Sequence, residues 1–390
     1  MVTIDHDAVL RARVLLLGSR RPSRAELVGA YRVLAEVSPK AYVPKLVDAL
    51  LALHYELRDP RLAVALTAEA SRAARGMEAG APNRPQLLRR ALDNHQASLF
   101  ALGRRAEGRA VCEELADAGR SEPLARALAE EGRFEEAAEL DEEAARKGIP
   151  EHSFWNRVRW AANLEGAGLH DAAATVFREL LEETRREAAE QRTALAILTW
   201  ELVHFSRMRE TAGDGAGAAA ARREALSVLE ELATTGEPKT WSCILACWST
   251  LFVLSGRAAE PAAGPESPMP PFGTQHGWSH DVRDGFLGML PGLEAEAARL
   301  RGAGRLPGLA DVQRRIAIRA AVREGDRPYL FEERFTPYFD EAVALARRLP
   351  DDPGRLARAL TDRSMFLVAA HSFEPAHADF AEAAALLHDR

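Results

Sequence analysis

Small residues recur along this chain where two antiparallel helices would cross closely. Two copies of the pattern are clear: Ala125, Leu128, Gly132, Ala137 and Ala144, followed by Ala161, Leu164, Gly168, Ala173, Phe177 and Leu180. Small side chains allow close helix crossings, and a glycine can end a helix in the left-handed conformation without a Cβ penalty. The pattern therefore predicts helix pairs that stack on one another, which constrains the fold more than any other feature.

The composition favours an all-α protein. Hydrophobic residues make up 47% of the 390 residues but aromatic residues only 6%, and no stretch alternates Val, Ile, Thr and Tyr as a strand would. The formal net charge is -7, with 28% charged residues. This balance provides no basic surface for DNA or RNA, so nucleic acid is not predicted as a direct partner.

The residue usage also predicts a compartment. Three cysteines without a framework spacing, and an N-terminus without a secretion signal, predict a reducing cytoplasm. No apolar run reaches about 18 residues, so a membrane protein is not predicted. Arginine supplies nearly all the basic residues, which is typical of a GC-rich bacterial genome.

Capping residues mark the helix starts. Ser23 and Glu26 form a capping-box pattern, Asp59 and Pro60 begin another helix, and Asn83 precedes a third. With Gly and Pro taken as stops, the chain divides into about nine antiparallel helix pairs, one helix of which is predicted over 280–301.

The spacing of the turn glycines carries a family resemblance. Gly103, Gly132, Gly168, Gly213 and Gly256 follow one another at intervals of 29, 36, 45 and 43 residues, compared with the period of about 34 of tetratricopeptide repeats (TPR). The segment from about 90 to 256 resembles this family, and a similar half-repeat is present near the C-terminus: Phe373, Ala376, Phe380 and Ala383. The resemblance implies a right-handed, TPR-like α-solenoid. Asp141 and Arg222 depart from it, since they occupy positions where the family prefers an aromatic residue, and Pro261 stands where it has Ala.

Four segments are predicted. Residues 1–82 form N-terminal capping pairs, 83–257 the TPR-like array, 258–279 a Pro-rich loop, and 280–390 the C-terminal helical repeats.

The Pro-rich loop allows two interpretations. Its prolines and glycines exclude a continuous helix, and a loop of this length is either functional or disordered. It carries His276 and Trp278, and His280 follows it. It is therefore either an ordered cover over a groove or a disordered linker.

The resemblance also implies a binding surface, because the first helix of each repeat lines the concave groove in this family. The matching positions are Arg90, Asp93, Asn94, Trp155, Arg159, Trp200, His204 and Arg207. Arginine recognises carboxylates and phosphates through paired hydrogen bonds, so this groove would suit an acidic peptide, a chain terminus or an anionic small molecule. In the alternative interpretation, the tryptophans fill the space between repeats and the arginines are solvated.

Other clusters point only weakly to chemistry. His276, His280, Asp281 and Asp284 lie close in sequence but do not share one helix face, and Cys243 and Cys247 have no second pair of ligands. No phosphate-binding loop or catalytic motif is present, so neither a cofactor nor a metal is predicted.

The function predicted first is a non-enzymatic scaffold or regulatory module that captures a protein or peptide partner. The alternative is a small-molecule-binding protein or noncanonical enzyme in which the loop acts as a lid, with His276, Trp278 and His280 facing His204 and Arg207. A third possible function is a sensor domain that works with a separately encoded DNA-binding or ATPase partner. A homo-oligomer could form through the edge at Leu386 and Leu387.

Overall fold

The chain folds into two compact units. A computed structural model describes residues 5–147, 153–190, 194–237, 241–271, 277–324 and 331–388. Unit 1 comprises Met1–Ala127 with Ser279–Asp281, and unit 2 comprises Leu128–Trp278 with Val282–Arg390.

Nearly all of the described residues lie in α-helices. In chain order the helices are α1 (His6–Leu17), α2 (Arg24–Val37), α3 (Pro39–His54), α4 (Pro60–Arg75), α5 (Arg84–Ala101), α6 (Arg105–Asp117), α7 (Glu122–Glu130), α8 (Phe134–Arg146), α9 (Ser153–Gly166), α10 (His170–Glu190), α11 (Leu195–Thr211), α12 (Gly215–Thr235), α13 (Trp241–Ser255), α14 (His280–Gly288), α15 (Leu290–Gly302), α16 (Leu306–Glu324), α17 (Phe331–Arg347), α18 (Pro353–Ala369) and α19 (Phe373–His388). Across the described ranges, extended pairing is limited to one isolated bridge between Gly264 and Ser267. The all-α prediction is confirmed.

Unit 1 is a run of helices in which each packs against the next, from α1 to α6. The predicted capping box begins α2: the Ser23 amide donates to Glu26 Oε2 at 2.7 Å, and the Glu26 amide donates to Ser23 Oγ at 3.3 Å. The apolar faces of α2 to α5 form one core, in which Val47 and Leu50 are fully buried. Short turns between neighbouring helices make the pairs antiparallel, as predicted for an α-solenoid.

Unit 2 contains two runs of sequentially packed helices, α8 to α12 and α15 to α19. Helix α13 packs against α11, α16 and α18, and α19 packs against α12, so the two runs share one core. Aromatic rings dominate its centre: Trp248 lies 5.4 Å from Phe252, and Phe339 stacks on Phe366 at 4.7 Å. Leu386 and Leu387, predicted to be an uncovered edge, are half-buried beside Leu360 in a smaller cluster.

All five predicted turn glycines follow the end of a helix, and four of them share one backbone conformation. Gly103, Gly132, Gly168 and Gly213 all have left-handed φ values between 71° and 78°. Gly256 does not: its φ is -92°, and a short 3-10 turn over Arg257–Ala259 follows it. Gly256 therefore follows the helix end as predicted but is not equivalent to the other four glycines, because the chain leaves α13 into the Pro-rich segment rather than into a second helix.

The single helix predicted over 280–301 is divided in the structure. Helix α14 ends at Gly288, and α15 begins at Leu290 with a proline in its first turn. Pro291 has no amide to donate to the preceding turn, so its ring fits the start of a helix and not the interior.

None of the helices in the described ranges is both long enough and apolar enough to span a bilayer.

Two turn glycines provide a matched test of this packing. A Cβ on Gly132 would lie 2.6 Å from the Ala263 carbonyl oxygen, whereas a Cβ on Gly168 would meet nothing within 4 Å. Both have a left-handed φ, so an alanine at either position costs about 1–2 kcal/mol in backbone conformation. We expect Gly132→Ala to lower the free energy of unfolding by at least about 1 kcal/mol more than Gly168→Ala, in line with the cost of overpacking. Equal losses in urea unfolding would contradict the close contact at Ala263.

Candidate functional site

Unit 2 contains a cavity of about 420 Å³, which we call the arginine cavity. Helices α11, α12, α13, α16, α18 and α19 surround it. Its charged lining among the described residues consists of Arg207, Arg222, Arg314, Arg355, Arg358, Glu210, Asp352 and Asp362. Its apolar floor includes Trp248, Phe252 and Phe380. Cationic groups above an aromatic floor can accommodate a ligand that has an acidic group and an apolar body.

Helix α11 contributes three of the predicted site residues to this cavity. Trp200, His204 and Arg207 follow one another at intervals of one helical turn, so they share a face of α11, and all three line the cavity. Trp200 is buried and its indole Nε1 donates to the Met365 carbonyl oxygen at 3.0 Å. This bond ties α11 to α18 across the cavity.

The five cavity arginines differ in how fully their donors are used. Arg314 donates to Asp362 at 2.6 Å and to Ser255 Oγ at 2.6 Å. Arg355 pairs with Asp352 at 3.1 Å and with Asp311, and Arg222 pairs with Glu210. These pairs hold the walls of the cavity in place.

Arg207 is bonded less completely. Its Nη2 lies 3.4 Å from Glu165 Oε2 and 3.2 Å from His204 Nε2, and its buried Nε has no hydrogen-bond partner in the described part of the chain. The His204 ring packs 5.1 Å from the Phe177 ring. Burial, followed by the charges of Arg207 and Arg257, holds the pKa of His204 well below its usual range. The imidazole is therefore neutral and can accept a hydrogen bond from Arg207.

A second guanidinium, Arg257, faces the same carboxylate. Burial lowers the pKa of Arg257, the charge of Glu165 partly offsets that effect, and Arg207 adds to it. Glu165 is itself buried, with 6% of its side chain exposed. One buried carboxylate thus pairs with Arg207 and acts through its charge on Arg257, beside a neutral histidine. Among these four side chains, positive charge exceeds negative charge.

The described part of the Pro-rich loop is ordered and packed on unit 2. We call residues 257–271 the strap. Glu260 accepts hydrogen bonds from Arg319 at 2.7 Å and from Arg315 at 2.9 Å, which fixes the strap to α16. At its other end the Met269 amide donates to the Glu130 carbonyl oxygen at 2.9 Å. No described residue of 258–279 lines the arginine cavity, so the strap is not a lid over His204 and Arg207.

The remaining predicted groove residues have intramolecular partners. In unit 1, Arg90 pairs with Asp48 at 2.8 Å, Asp93 pairs with Arg120, and the side-chain Nδ2 of Asn94 donates to the Arg90 carbonyl oxygen at 2.8 Å. Burial raises the pKa of Asp93 more than the pairing with Arg120 lowers it.

In unit 2, Arg159 is buried and pairs with Asp141 at 2.7 Å. Trp155 is half-buried against the core, where its ring meets Phe154 at 4.7 Å. The structure therefore places these two side chains in packing between helices.

The predicted loop residues fall in different surroundings. Trp278 is buried, with its ring 5.3 Å from that of Phe286. His280 is exposed at the first position of α14, and the neighbouring Asp281 pairs in unit 1 with Arg105 at 3.0 Å. His276 and the side chain of Cys243 lie outside the described residues, and Cys247 is a buried thiol. In the ranges that are described, no group of three or more His, Cys, Asp or Glu side chains could hold a metal ion.

Glu165 and Arg257 were not singled out in the sequence, although both belong to the site. Glu165 precedes Gly166 near the end of a helix, and Arg257 follows Gly256. The sequence alone therefore suggests an ordinary solvated charge near a turn at each position. Only the packing of α9 against the strap brings them to Arg207.

Comparisons with known proteins do not identify a family for this chain. No protein-family model and no curated protein sequence matches it. Among solved structures, the crystal structure of yeast Tom70 aligns with 98% of this chain and 76% of that chain, at 11% identity and a TM-score of 0.20. A likeness at that score carries no argument. The helical-repeat class rests on the consecutive packing of helix pairs described above.

Helix α11 also carries a buried acid beside the cavity residues. Glu201 is fully buried, accepts a hydrogen bond from Thr184 Oγ1 at 3.1 Å, and has no partner for Oε2 among the described residues. Burial raises the pKa of Glu201 to about 8. The carboxyl is therefore protonated in the folded chain near neutral pH.

This protonation predicts a pH dependence of stability. Between the unfolded pKa of 4.5 and the folded value of about 8, the native state holds a proton that the unfolded state lacks. The contribution of Glu201 to stability therefore falls as pH rises, by about 1.5 kcal/mol between pH 6.5 and pH 8. We expect Glu201→Gln to remove that loss, because the amide does not titrate. Urea unfolding of both proteins at the two pH values measures it, and parallel losses in wild type and variant would contradict a protonated Glu201.

Proposed function

We propose that this chain is a non-enzymatic binding module that captures a protein partner by seating an acidic peptide segment in the arginine cavity. The observation that carries the proposal is the incomplete bonding of Arg207, which lines the arginine cavity with 33% of its side chain exposed. A partly buried guanidinium is stabilised by a carboxylate with good geometry, and Glu165 reaches Arg207 only at 3.4 Å. An acidic side chain from a partner would supply the closely paired carboxylate that Glu165 does not provide to Arg207.

The aromatic floor supports a ligand that also has an apolar part. Trp248 and Phe252 lie stacked in the core, and Phe380 closes the floor from α19. Interfaces draw most of their binding energy from aromatic and arginine anchors in desolvated pockets. An acidic residue next to a large apolar residue would use both the arginines and the floor.

The rim of the cavity favours a peptide over an isolated small molecule. Arg358 is exposed at the edge of the cavity, and Leu387 lies half-buried on α19. Both could contact a chain that continues beyond the cavity. A compact organic anion is the second candidate, because about 420 Å³ falls in the usual range for small-molecule sites.

The setting we propose is the cytoplasm of a bacterium, where the captured partner is encoded separately. The buried thiols Cys112 and Cys247 support a reducing compartment.

Peptide selection followed by a charge-removing substitution tests the proposal. We expect peptides selected from a display library to contain Asp or Glu beside a large apolar residue. Their dissociation constants, followed by intrinsic tryptophan fluorescence, should rise about tenfold or more in Arg207→Gln, because a hydrogen bond between charged groups contributes about 1.5–3 kcal/mol.

Arg90→Gln is the matched control, since it removes the same charge from an exposed pair in unit 1. It should change affinity less than about twofold, because exposed pairs contribute little. Selection of peptides without acidic residues, or equal effects of the two substitutions, would refute capture by Arg207. Binding of free aromatic acids but of no peptide would favour the second candidate.

A further inference from the structure

A second cavity, of about 320 Å³, lies beneath the strap, and we call it the strap cavity. Apolar groups supply most of its lining: Phe134, Val253, Leu254, Pro261, Met269, Pro271, Phe286 and Ile318. The strap covers it from one side while Glu260 and Met269 hold the strap to unit 2. Its walls come from the strap and from helices α8, α9, α13, α14 and α16, so packing of the whole unit creates it.

The cation in this cavity is Arg257. Its Nη1 donates to the Ala162 carbonyl oxygen at 2.7 Å and to the Pro271 carbonyl oxygen at 3.1 Å, and its guanidinium carbon lies 5.4 Å from the centre of the Phe134 ring. Within the described part of the chain, no carboxylate lies within 4 Å of it, and Nε and Nη2 make no hydrogen bond. Two of its three nitrogens are thus available to a ligand.

The other charged residues of the strap cavity do not neutralise Arg257. Glu260 is already paired with Arg315 and Arg319. Each of these arginines donates one hydrogen bond to Oε1 and one to Oε2 of the carboxylate. Glu165 is shared with Arg207. A desolvated charge that lacks a direct counter-ion is costly, and an anion in the cavity would lower that cost.

We infer that the strap cavity is a binding site for a compact organic carboxylate with an apolar body. The carboxylate would pair with Nε and Nη2 of Arg257, and the apolar body would lie against Phe134, Met269 and Ile318. This site is separate from the arginine cavity and does not depend on capture of a peptide there. We assign it a free acid as ligand, because about 320 Å³ falls in the usual range for small-molecule sites.

Photolabelling with two matched probes tests this inference on the wild-type chain. The first probe is a benzoate that carries a trifluoromethyl-diazirine, and the second is the corresponding benzyl alcohol, which has the same body without the charge. We expect saturable labelling of peptides containing Phe134, Val253 or Met269, at concentrations about tenfold lower for the benzoate than for the alcohol. Labelling confined to α11 and α18, or equal labelling by the two probes, would overturn the inference.

Substitution of the cation gives a second readout. Arg257→Gln should weaken benzoate labelling about tenfold and leave alcohol labelling within twofold, whereas Arg257→Lys should retain part of the preference for the acid. Arg358→Gln is the control, since it removes an arginine from the other cavity. If Arg257→Gln lowers labelling by both probes equally while circular dichroism is unchanged, Arg257 only shapes the cavity and the carboxylate site is refuted.

Discussion

A single buried carboxylate facing two guanidinium groups is the constraint around which unit 2 is arranged. Glu165 reaches Arg207 at 3.4 Å and raises the pKa of Arg257 against the effect of burial. His204, which stays neutral, adds a hydrogen-bond acceptor but no negative charge. Two guanidinium groups near one carboxylate leave an excess of positive charge. A protein interior tolerates such an excess only when an anion from outside can neutralise it or when packing offsets its free-energy cost.

Each of the two guanidinium groups opens on a different cavity. Arg207 lines the arginine cavity between α11 and α18, and Arg257 lines the strap cavity beneath residues 257–271. The proposed peptide site and the proposed carboxylate site therefore share Glu165 as their common neighbour. A ligand that neutralises one arginine would leave more of the carboxylate to the other, so the two sites would be coupled through it.

The sequence predicted the repeated elements well and the charges inside them poorly. Helix pairs follow from local signals, because a left-handed glycine such as Gly132 and the spacing of small residues are set within one pair. The face shared by Trp200, His204 and Arg207 also follows from helical periodicity alone. Residues of α11 could therefore be grouped before their surroundings were known.

Pairing across helices could not be predicted in the same way. Asp141 and Arg222 depart from the repeat pattern, and the structure gives the reason: each forms an ion pair, with Arg159 and with Glu210 respectively. The sequence pattern marks such positions as irregular but does not identify the partner. The same holds for the strap, where Glu260 finds its arginines only after α16 has packed.

The most direct measurement is the affinity of the diazirine benzoate for Glu165→Gln compared with wild type. If Glu165 competes with ligands for Arg207 and Arg257, Glu165→Gln removes the carboxylate that pairs with Arg207 and whose charge stabilises Arg257. The account predicts saturation at a several-fold lower benzoate concentration, with no gain for the matching alcohol, in a variant whose helical circular dichroism is retained. Unchanged or weaker benzoate binding by that folded variant would contradict a buried excess of positive charge at Glu165.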